Sequence, residues 1–268
     1  MLLSNNLPHK LKIAIIYSRE KKCVNTFNFF KDNINLYSPE EADILLCLGG
    51  DGFMLHTLHN CIDLNKPIYG INCGSLGFLM NDFNLDTTTI DELITSLQTC
   101  VTSVKTYPLE VKFTTNSGEE ITSLAFNEAS LLRSDGVAAH LKIYIDGELK
   151  CNKLVSDGTL VATPFGSLAY NKACGGPIIP LNSKLLILTA INAFDPVNFK
   201  GVILPESSTV TIEVQSSTTR KVNLFCDFIK YKHITKLEVK KSRSKSINIL
   251  FNKQNYLTQK IFNAQFMR

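Results

Sequence analysis

Along the first hundred residues, short apolar runs alternate with segments whose apolar positions recur at helical spacing. Ile13-Ala14-Ile15-Ile16, Ile44 to Leu48 and the shorter Pro67-Ile68-Tyr69-Gly70-Ile71 lack polar alternation, the pattern of strands buried on both faces. Between or after them, Val24 to Phe30, Phe53 to Asn60 and Thr89 to Thr99 read as helices. This alternation predicts a Rossmann-like α/β unit, a parallel sheet covered by helices, in which ligands bind at the carboxyl ends of the strands. The period changes near Tyr107-Pro108. Leu109, Val111 and Phe113 alternate with Glu110, Lys112 and Thr114, and Asn116-Ser117-Gly118 supplies a turn. Leu141, Ile143 and Ile145 lead into the hairpin signal Asp146-Gly147, followed by Glu148 to Cys151. Further strands are expected at Thr209 to Val214, Val222 to Phe225, Leu237 to Lys240 and Ile247 to Phe251, so the second half reads as mostly antiparallel, sandwich-like sheet. The expected division is an α/β domain over 1–104, a β-rich domain over 105–252, and a tail over 253–268. Gln254 to Phe266 in that tail suits a short helix packing back on the first domain.

Composition narrows the class. Of 268 residues, 44% are hydrophobic and 19% charged, enough apolar surface for a sizeable core, which excludes wholesale disorder. A net charge of +4 is too small a bias to point to nucleic acid or an anionic membrane. The longest mostly apolar stretch, Leu185 to Phe194, is broken by Thr189 and Asn192 and is too short to span a bilayer. Met1 to Lys10 lacks the pattern of a secretion signal. Cys23, Cys47, Cys61, Cys73, Cys100, Cys151, Cys174 and Cys226 form no CxxC pair, which argues against a zinc ribbon and suits reduced thiols in the cytoplasm. Lys230 to Lys245 carries seven basic residues and one acid, read as solvated charge on edge strands that guards against aggregation.

Four segments carry candidate chemistry. Gly49-Gly50-Asp51-Gly52 follows a strand and precedes a helix, where glycines allow a tight turn and free helix-start amides suit an anion. An acid there would repel phosphate, so Asp51 reads either as a base aimed at a hydroxyl or as a helix cap. No GxxxxGK[ST] exists, which excludes a P-loop NTPase. Ile71 to Leu79 is again a strand and then a glycine-rich loop, with Asn72 at its start. Asn127-Glu128 is an amide beside a carboxylate, able to hold sugar hydroxyls or, more blandly, to line a solvated loop. Asp157 to Tyr170 runs on to Gly175-Gly176-Pro177, with one or two helical turns expected over Ser167 to Cys174 and the Tyr170 ring free to stack on a base.

In order and spacing these segments resemble the NAD kinase family over roughly Ile13 to Leu250. The GGDG loop matches Gly49 to Gly52, the N-x-G-x-L-G-F-L loop matches Asn72 to Leu79, the N-E pair matches Asn127-Glu128, and D-G-x-x-x-x-T-P-x-G-S-x-A-Y matches Asp157 to Tyr170. The resemblance implies an enzyme, a phosphotransferase that moves a phosphoryl group from ATP or polyphosphate to the 2′-hydroxyl of NAD's adenosine ribose, yielding NADP. Asp51 is then the general base. Gly49, Gly50, Gly52 and His56 lie on the phosphate side, and Asn72 is a further nucleotide-binding residue. Asn127 and Glu128 hold the ribose or nicotinamide portion, Asp157 hydrogen-bonds the nicotinamide-side substrate, and Ala169, Tyr170, Asn171, Lys172 and Ala173 line the dinucleotide pocket. A divalent ion, Mg or Mn, comes with the substrate, and a homodimer or homotetramer is implied. No resident metal is expected, since His56 and His59 lack a third ligand.

The chain departs from the family pattern at four places. Phe165 and Leu168 stand where hydroxyl residues are usual, so two hydrogen bonds to the base are either missing there or replaced by stacking. Phe53 replaces a Thr, and Val155 replaces a basic residue, with Lys153 a candidate substitute nearby. A lipid kinase of the same superfamily would need an apolar channel helix that the second half lacks, and a sensor without catalysis gains nothing from Asp51.

Overall fold

The computed structural model describes residues 11–74, 77–83 and 88–252. Ser75-Leu76 and the tail helix expected over Gln254–Phe266 lie outside the described residues. The chain divides into two compact units, one formed by the residues up to Thr106 with those from Lys245 onward, the other by Tyr107–Ser244.

The first unit opens with β1 (Ile13–Tyr17), α1 (Lys21–Asn33), β2 (Ile44–Gly49), α2 (Asp51–Cys61) and β3 (Ile68–Asn72), then α3 (Ile90–Thr99) and β4 (Thr102–Thr106). β1, β2 and β3 are parallel neighbours, and every residue of β2 is buried. α1 packs through Cys23, Thr26 and Phe30, spaced along one helical face. α3 begins at a reciprocal cap: Thr89 Oγ1 accepts the Glu92 N–H at 3.2 Å, and Glu92 accepts the Thr89 N–H at 2.8 Å. Such a cap stabilises by about 1 kcal/mol. Among the described residues no helix is long and apolar enough to cross a membrane.

The second unit carries β5 (Leu109–Thr115), β6 (Glu120–Ala125), β7 (Glu128–Arg133), β8 (Ala139–Ile145) and β9 (Glu148–Ala162). A 3-10 turn at Gly166–Leu168 and α4 (Tyr170–Ala173) follow, split at Ala169, in place of the continuous turns expected over Ser167 to Cys174. Then come β10 (Leu185–Asp195), β11 (Gly201–Pro205), β12 (Val210–Val214), β13 (Val222–Cys226), β14 (Ile229–Tyr231) and β15 (Ile234–Lys241). These strands form one antiparallel sheet, ordered β14-β13-β7-β9-β8-β12-β15-β5-β6, with β10 joined to β9 and β11 to β10. Leu224 on β13 and Val111 on β5 share one hydrophobic core, so the sheet curls over its own apolar face as a sandwich does. The Asp146-Gly147 signal is realised, with both residues at positive φ between β8 and β9.

Two expectations are corrected. Ile247–Phe251 was grouped with the second half, but as β16 it returns to the first sheet, parallel to β3 and antiparallel to β4. Four of its five residues are buried, as suits a central strand covered on both faces rather than a half-solvated one. The described part of the first unit therefore includes residues that the 105–252 boundary assigned elsewhere. Most of the basic run is not on an edge either, although Lys230 lies on β14, the end strand of the sheet order. β15 lies between β12 and β5, and its lysines meet acids: Lys236 with Glu213 at 3.1 Å, Lys240 with Glu110 and Glu238 at 3.4 Å each, and Lys241 with Glu206 at 2.6 Å.

Candidate active site

In the first unit the GGDG segment is the β2–α2 junction. Gly49 ends β2, Gly50 is the residue before the helix, and Asp51 opens α2, two residues ahead of the expected start. A side chain at Gly49 would collide with Phe53, 2.7 Å from an added Cβ, so the turn requires glycine. Asp51 does not cap its helix. Its Oδ2 accepts the Phe78 N–H at 2.8 Å and its Oδ1 the Leu79 N–H at 2.9 Å. The carboxylate thus ties the first glycine loop to the second, and the Cys73 N–H to Gly49 O bond at 2.9 Å ties them again. A carboxylate offers about four lone-pair sites, so roughly two remain for an incoming hydroxyl.

The second loop is held from behind. Asn72 Oδ1 accepts the Gly74 N–H at 3.0 Å. Asn81 is fully buried, donates its amide to Gly70 O and Leu250 O at 3.0 Å each, and accepts the Asn252 N–H at 3.1 Å. β3, β16 and the loop are thereby pinned at one side chain that nothing in the sequence pattern singled out. His56 and His59 lie further along α2, the former exposed and the latter half-buried. Among the described residues no group of three or more His, Cys, Asp or Glu side chains is placed to hold a metal ion.

In the second unit, Asn127-Glu128 is not a solvated loop. Glu128 opens β7 and pairs with Ala162 across β9. The backbone at Phe126, Asn127 and Glu128 donates three successive N–H groups to the Asp227 carboxylate, at 2.7, 2.9 and 3.1 Å. From the other side Thr163 Oγ1 donates to Phe126 O at 2.6 Å, and the Thr163 N–H donates to Asn127 O at 2.9 Å. A Cβ at Gly166 would sit 2.0 Å from Asn127 O, so glycine is what lets the Pro164–Gly166 turn close on the pair. Glu128 Oε2 is buried with no hydrogen-bond partner among the described residues. Burial first, then the Asp227 charge, push the Glu128 carboxyl up to about 8, against the lowering effect of a hydrogen bond from the Tyr170 backbone.

The remaining predicted residues divide. Asp157 Oδ1 accepts from Arg133 Nε at 2.6 Å and its Oδ2 from Asn192 Nδ2 at 2.9 Å, so it is already engaged within the fold. Tyr170 is half-buried against the small cluster of Leu160, Ala162, Ile179, Ile187 and Ile191, with part of its surface left outside. Leu168 and Ala169 are half-buried, and Lys172 and Ala173 are exposed. Phe165 is 5% exposed and points into the protein, leaving little ring to stack on a base. Asn171 serves its own loop. It is fully buried, donates to Pro177 O at 2.9 Å, accepts from Thr189 Oγ1 at 2.6 Å, and lies against Gly176, where a Cβ would be 2.0 Å away. Lys153 stands exposed on β9, four residues and about 13 Å of strand before Asp157. Its charge and that of Arg220 add to burial in lowering the His140 imidazole.

Asp227, Arg133, Asn192 and Thr163 carry much of this geometry and none was expected to. Asp227 sits in the two-residue turn between β13 and β14, and its only sequence signal is an Asp between two strand-like runs.

Comparison with known proteins agrees with the motifs. Residues 4–102 match the ATP-NAD kinase N-terminal domain model, and residues 127–249 match the ATP-NAD kinase C-terminal domain model. NAD kinase from Rickettsia rickettsii (strain Sheila Smith) is 40% identical over 255 residues, 95% of this chain and 98% of that protein. NAD kinase from Rickettsia canadensis (strain McKiel) shows the same identity and coverage. Among solved structures, yeast NADH kinase complexed with NADH superposes with a TM-score of 0.80 at 23% identity, covering 97% of this chain and 89% of that one. An NAD kinase from Archaeoglobus fulgidus in complex with ATP gives 0.74 at 20% identity, covering 95% and 98%. These two likenesses concern the fold. The two domain matches and the 40% identity over nearly the whole chain place it in a family: the chain belongs to the NAD kinases.

Proposed function

We propose that the chain transfers the γ-phosphoryl group of ATP to the 2′-hydroxyl of the adenosine ribose of NAD, giving NADP and ADP. The observation that carries this reading is the Asp51 carboxylate, fixed by the Phe78 and Leu79 amides at a helix start and retaining lone pairs for a hydroxyl. The 2′-oxygen attacks phosphorus as its proton passes to Asp51, and the bond from the γ-phosphorus to the ADP oxygen breaks. Base assistance of this kind contributes ~10² to 10⁴-fold. In-line positioning and charge neutralisation contribute the rest, with glycine-loop amides and a divalent ion that arrives on the donor phosphates as part of the substrate. Asn127 and Glu128 hold ribose or nicotinamide groups, the outer face of Tyr170 packs on the dinucleotide, and His56 lies on the phosphate side. Asp157 takes part through its Arg133 and Asn192 partners.

The same reading favours a homo-oligomer in a reducing cytoplasm. The β10–β11 hairpin leaves Phe194, Val197, Val202 and Ile203 exposed, and among the described residues β11 pairs with β10 alone, an edge suited to a second copy. Light scattering on the wild type and on Ile203→Lys tests this. A wild-type monomer overturns it.

An NADP-formation assay on purified protein tests the activity, with NAD or NADH and a panel of donors that includes ATP and polyphosphate. Formation with ATP is expected and its loss in Asp51→Asn assigns the base. Wild type inactive with every donor defeats the reading, and turnover retained in Asp51→Asn removes Asp51 from the chemistry.

A further inference from the structure

Three consecutive backbone N–H groups converging on one point form a concavity that ordinarily binds an anion. At Phe126, Asn127 and Glu128 that concavity is filled from within the chain, by a carboxylate about a hundred residues later. Asp227 reaches it from a two-residue turn, at a φ of 55°, a left-handed conformation that Asp tolerates better than most residues. The contact is reciprocal, since the Asp227 N–H donates to Glu128 O at 3.0 Å. Holding three amides with one short side chain leaves the peptide planes of the Asn127-Glu128 segment no rotational freedom, and it sets a fixed negative charge beside the buried Glu128 carboxyl.

We infer that Asp227 is the positioning residue of the Asn127–Glu128 pair: its carboxylate, by holding the three successive amides, aims both side chains at the ligand. This rests on the NAD kinase reading above and adds a residue to it. Glu128 Oε2 is buried and has no partner among the described residues, which leaves it open to a group of the ligand. The titratable groups facing Glu128 are Asp227 from the β13–β14 turn, and Tyr170 and Cys174 from α4 and the residue after it. Asp157 acts on Tyr170 in turn. Of the groups acting directly on Glu128, Asp227 is the one that supplies negative charge at neutral pH. Below about 8 the Glu128 carboxyl retains its proton and donates; above it the carboxylate only accepts, and an acceptor atom of the dinucleotide loses its partner.

The test is the pH profile of kcat/KM for NAD in wild type, Asp227→Asn and Asp227→Glu, each checked for folding by circular dichroism. Wild type should show an alkaline fall centred near 8. Asp227→Asn removes the charge and turns an amide against one of the three N–H donors. Its KM for NAD should rise at least fivefold while kcat changes less than threefold, and the alkaline fall should move to lower pH. Asp227→Glu keeps the charge but not the reach, so its fall should stay near the wild-type position while KM still rises. A profile and KM unchanged in Asp227→Asn overturn the inference, and NADP formation by wild type in the same assay shows that the activity itself stands. Should Asp227→Asn not fold, Asp227→Glu decides: a KM for NAD raised at least fivefold supports the inference, and an unchanged KM overturns it.

Discussion

Glu128 gives a stability prediction that needs no ligand. Its carboxyl is raised from 4.5 to about 8 in the folded chain, by burial and then by the Asp227 charge. Between those values the folded state holds a proton that the unfolded state has lost. The group's stabilising contribution is therefore whole below 4.5 and declines as pH rises through the folded value near 8. Each unit corresponds to about 1.4 kcal/mol, so roughly 3.5 units amount to about 4–5 kcal/mol in full. Glutamine at this position keeps an oxygen for the Tyr170 N–H and a donor on the other arm, and it does not titrate. Glu128→Gln should accordingly gain about 4 kcal/mol on wild type between pH 5 and pH 9, with little difference between the two near pH 5.

The assay is equilibrium urea unfolding of both proteins at pH 5, 7 and 9, read on the transition of the second unit. Only the difference between variants matters, because the cysteines and tyrosines raised by burial away from Glu128, such as Cys47, Tyr69 and Cys226, titrate alike in both. A difference constant across the three pH values within ~1 kcal/mol would refute the reasoning, since it would place a charged or water-exposed carboxylate where the structure has a buried neutral one.

Other perturbations read different parts of the site. Asp51→Asn presents an amide to two backbone donors that need acceptors, so hydrogen exchange should quicken at Phe78 or Leu79 by the loss of a charge-assisted bond of ~1.5–3 kcal/mol, and unchanged protection would contradict the clamp. Gly166→Ala drives a methyl group against a backbone oxygen 2.0 Å away, and should lower the thermal midpoint and raise the KM for NAD together; a wild-type midpoint would mean the turn has slack. Tyr170→Ala should raise the KM for NAD with kcat little changed, and an unaltered KM would take the ring out of the site.

The legibility of this chain follows the range over which each signal acts. The parallel strands were readable because a strand covered on both faces must be apolar throughout, as Ile44–Leu48 is. That same logic was available for Ile247–Phe251, whose near-continuous burial marks a central strand, but its neighbours in sequence all carry the two-residue alternation and drew it into the wrong unit. Hairpins declared themselves where local backbone chemistry decides, at Asp146-Gly147 and at Gly118. The site motifs were visible as residue types in order. What each side chain touches was not, because Asp51 reaches 27 residues forward and Asp227 about a hundred back, and no pattern within a window reports such a contact. Asn171 shows the converse error: standing beside a motif, it was read as facing a ligand, whereas its amide closes the loop that the motif forms.

The two long-range acids share one physical role, and it bears on why glycines crowd these segments. Asp51 takes two successive amides of the Gly77–Leu79 loop, and Asp227 takes three at Phe126–Glu128. A backbone that points consecutive N–H groups the same way, packed closely on its neighbours, has little room for a Cβ. An added one would meet Met80 at 2.9 Å beside Gly77, Asn127 O at 2.0 Å beside Gly166, and Leu131 O at 2.0 Å beside Gly158. Glycine therefore supplies the close approach, and the conformational entropy it releases to the unfolded chain is offset by a half-buried carboxylate that accepts several charge-assisted bonds at once. On this account the acids and the glycines form one device in each unit. Removing the acid should loosen the loop even with every glycine in place, and adding a Cβ should displace the loop even with the acid intact. Either change then weakens ligand binding before it touches the chemical step, except at Asp51, where the group that orders the loop is also the proposed base.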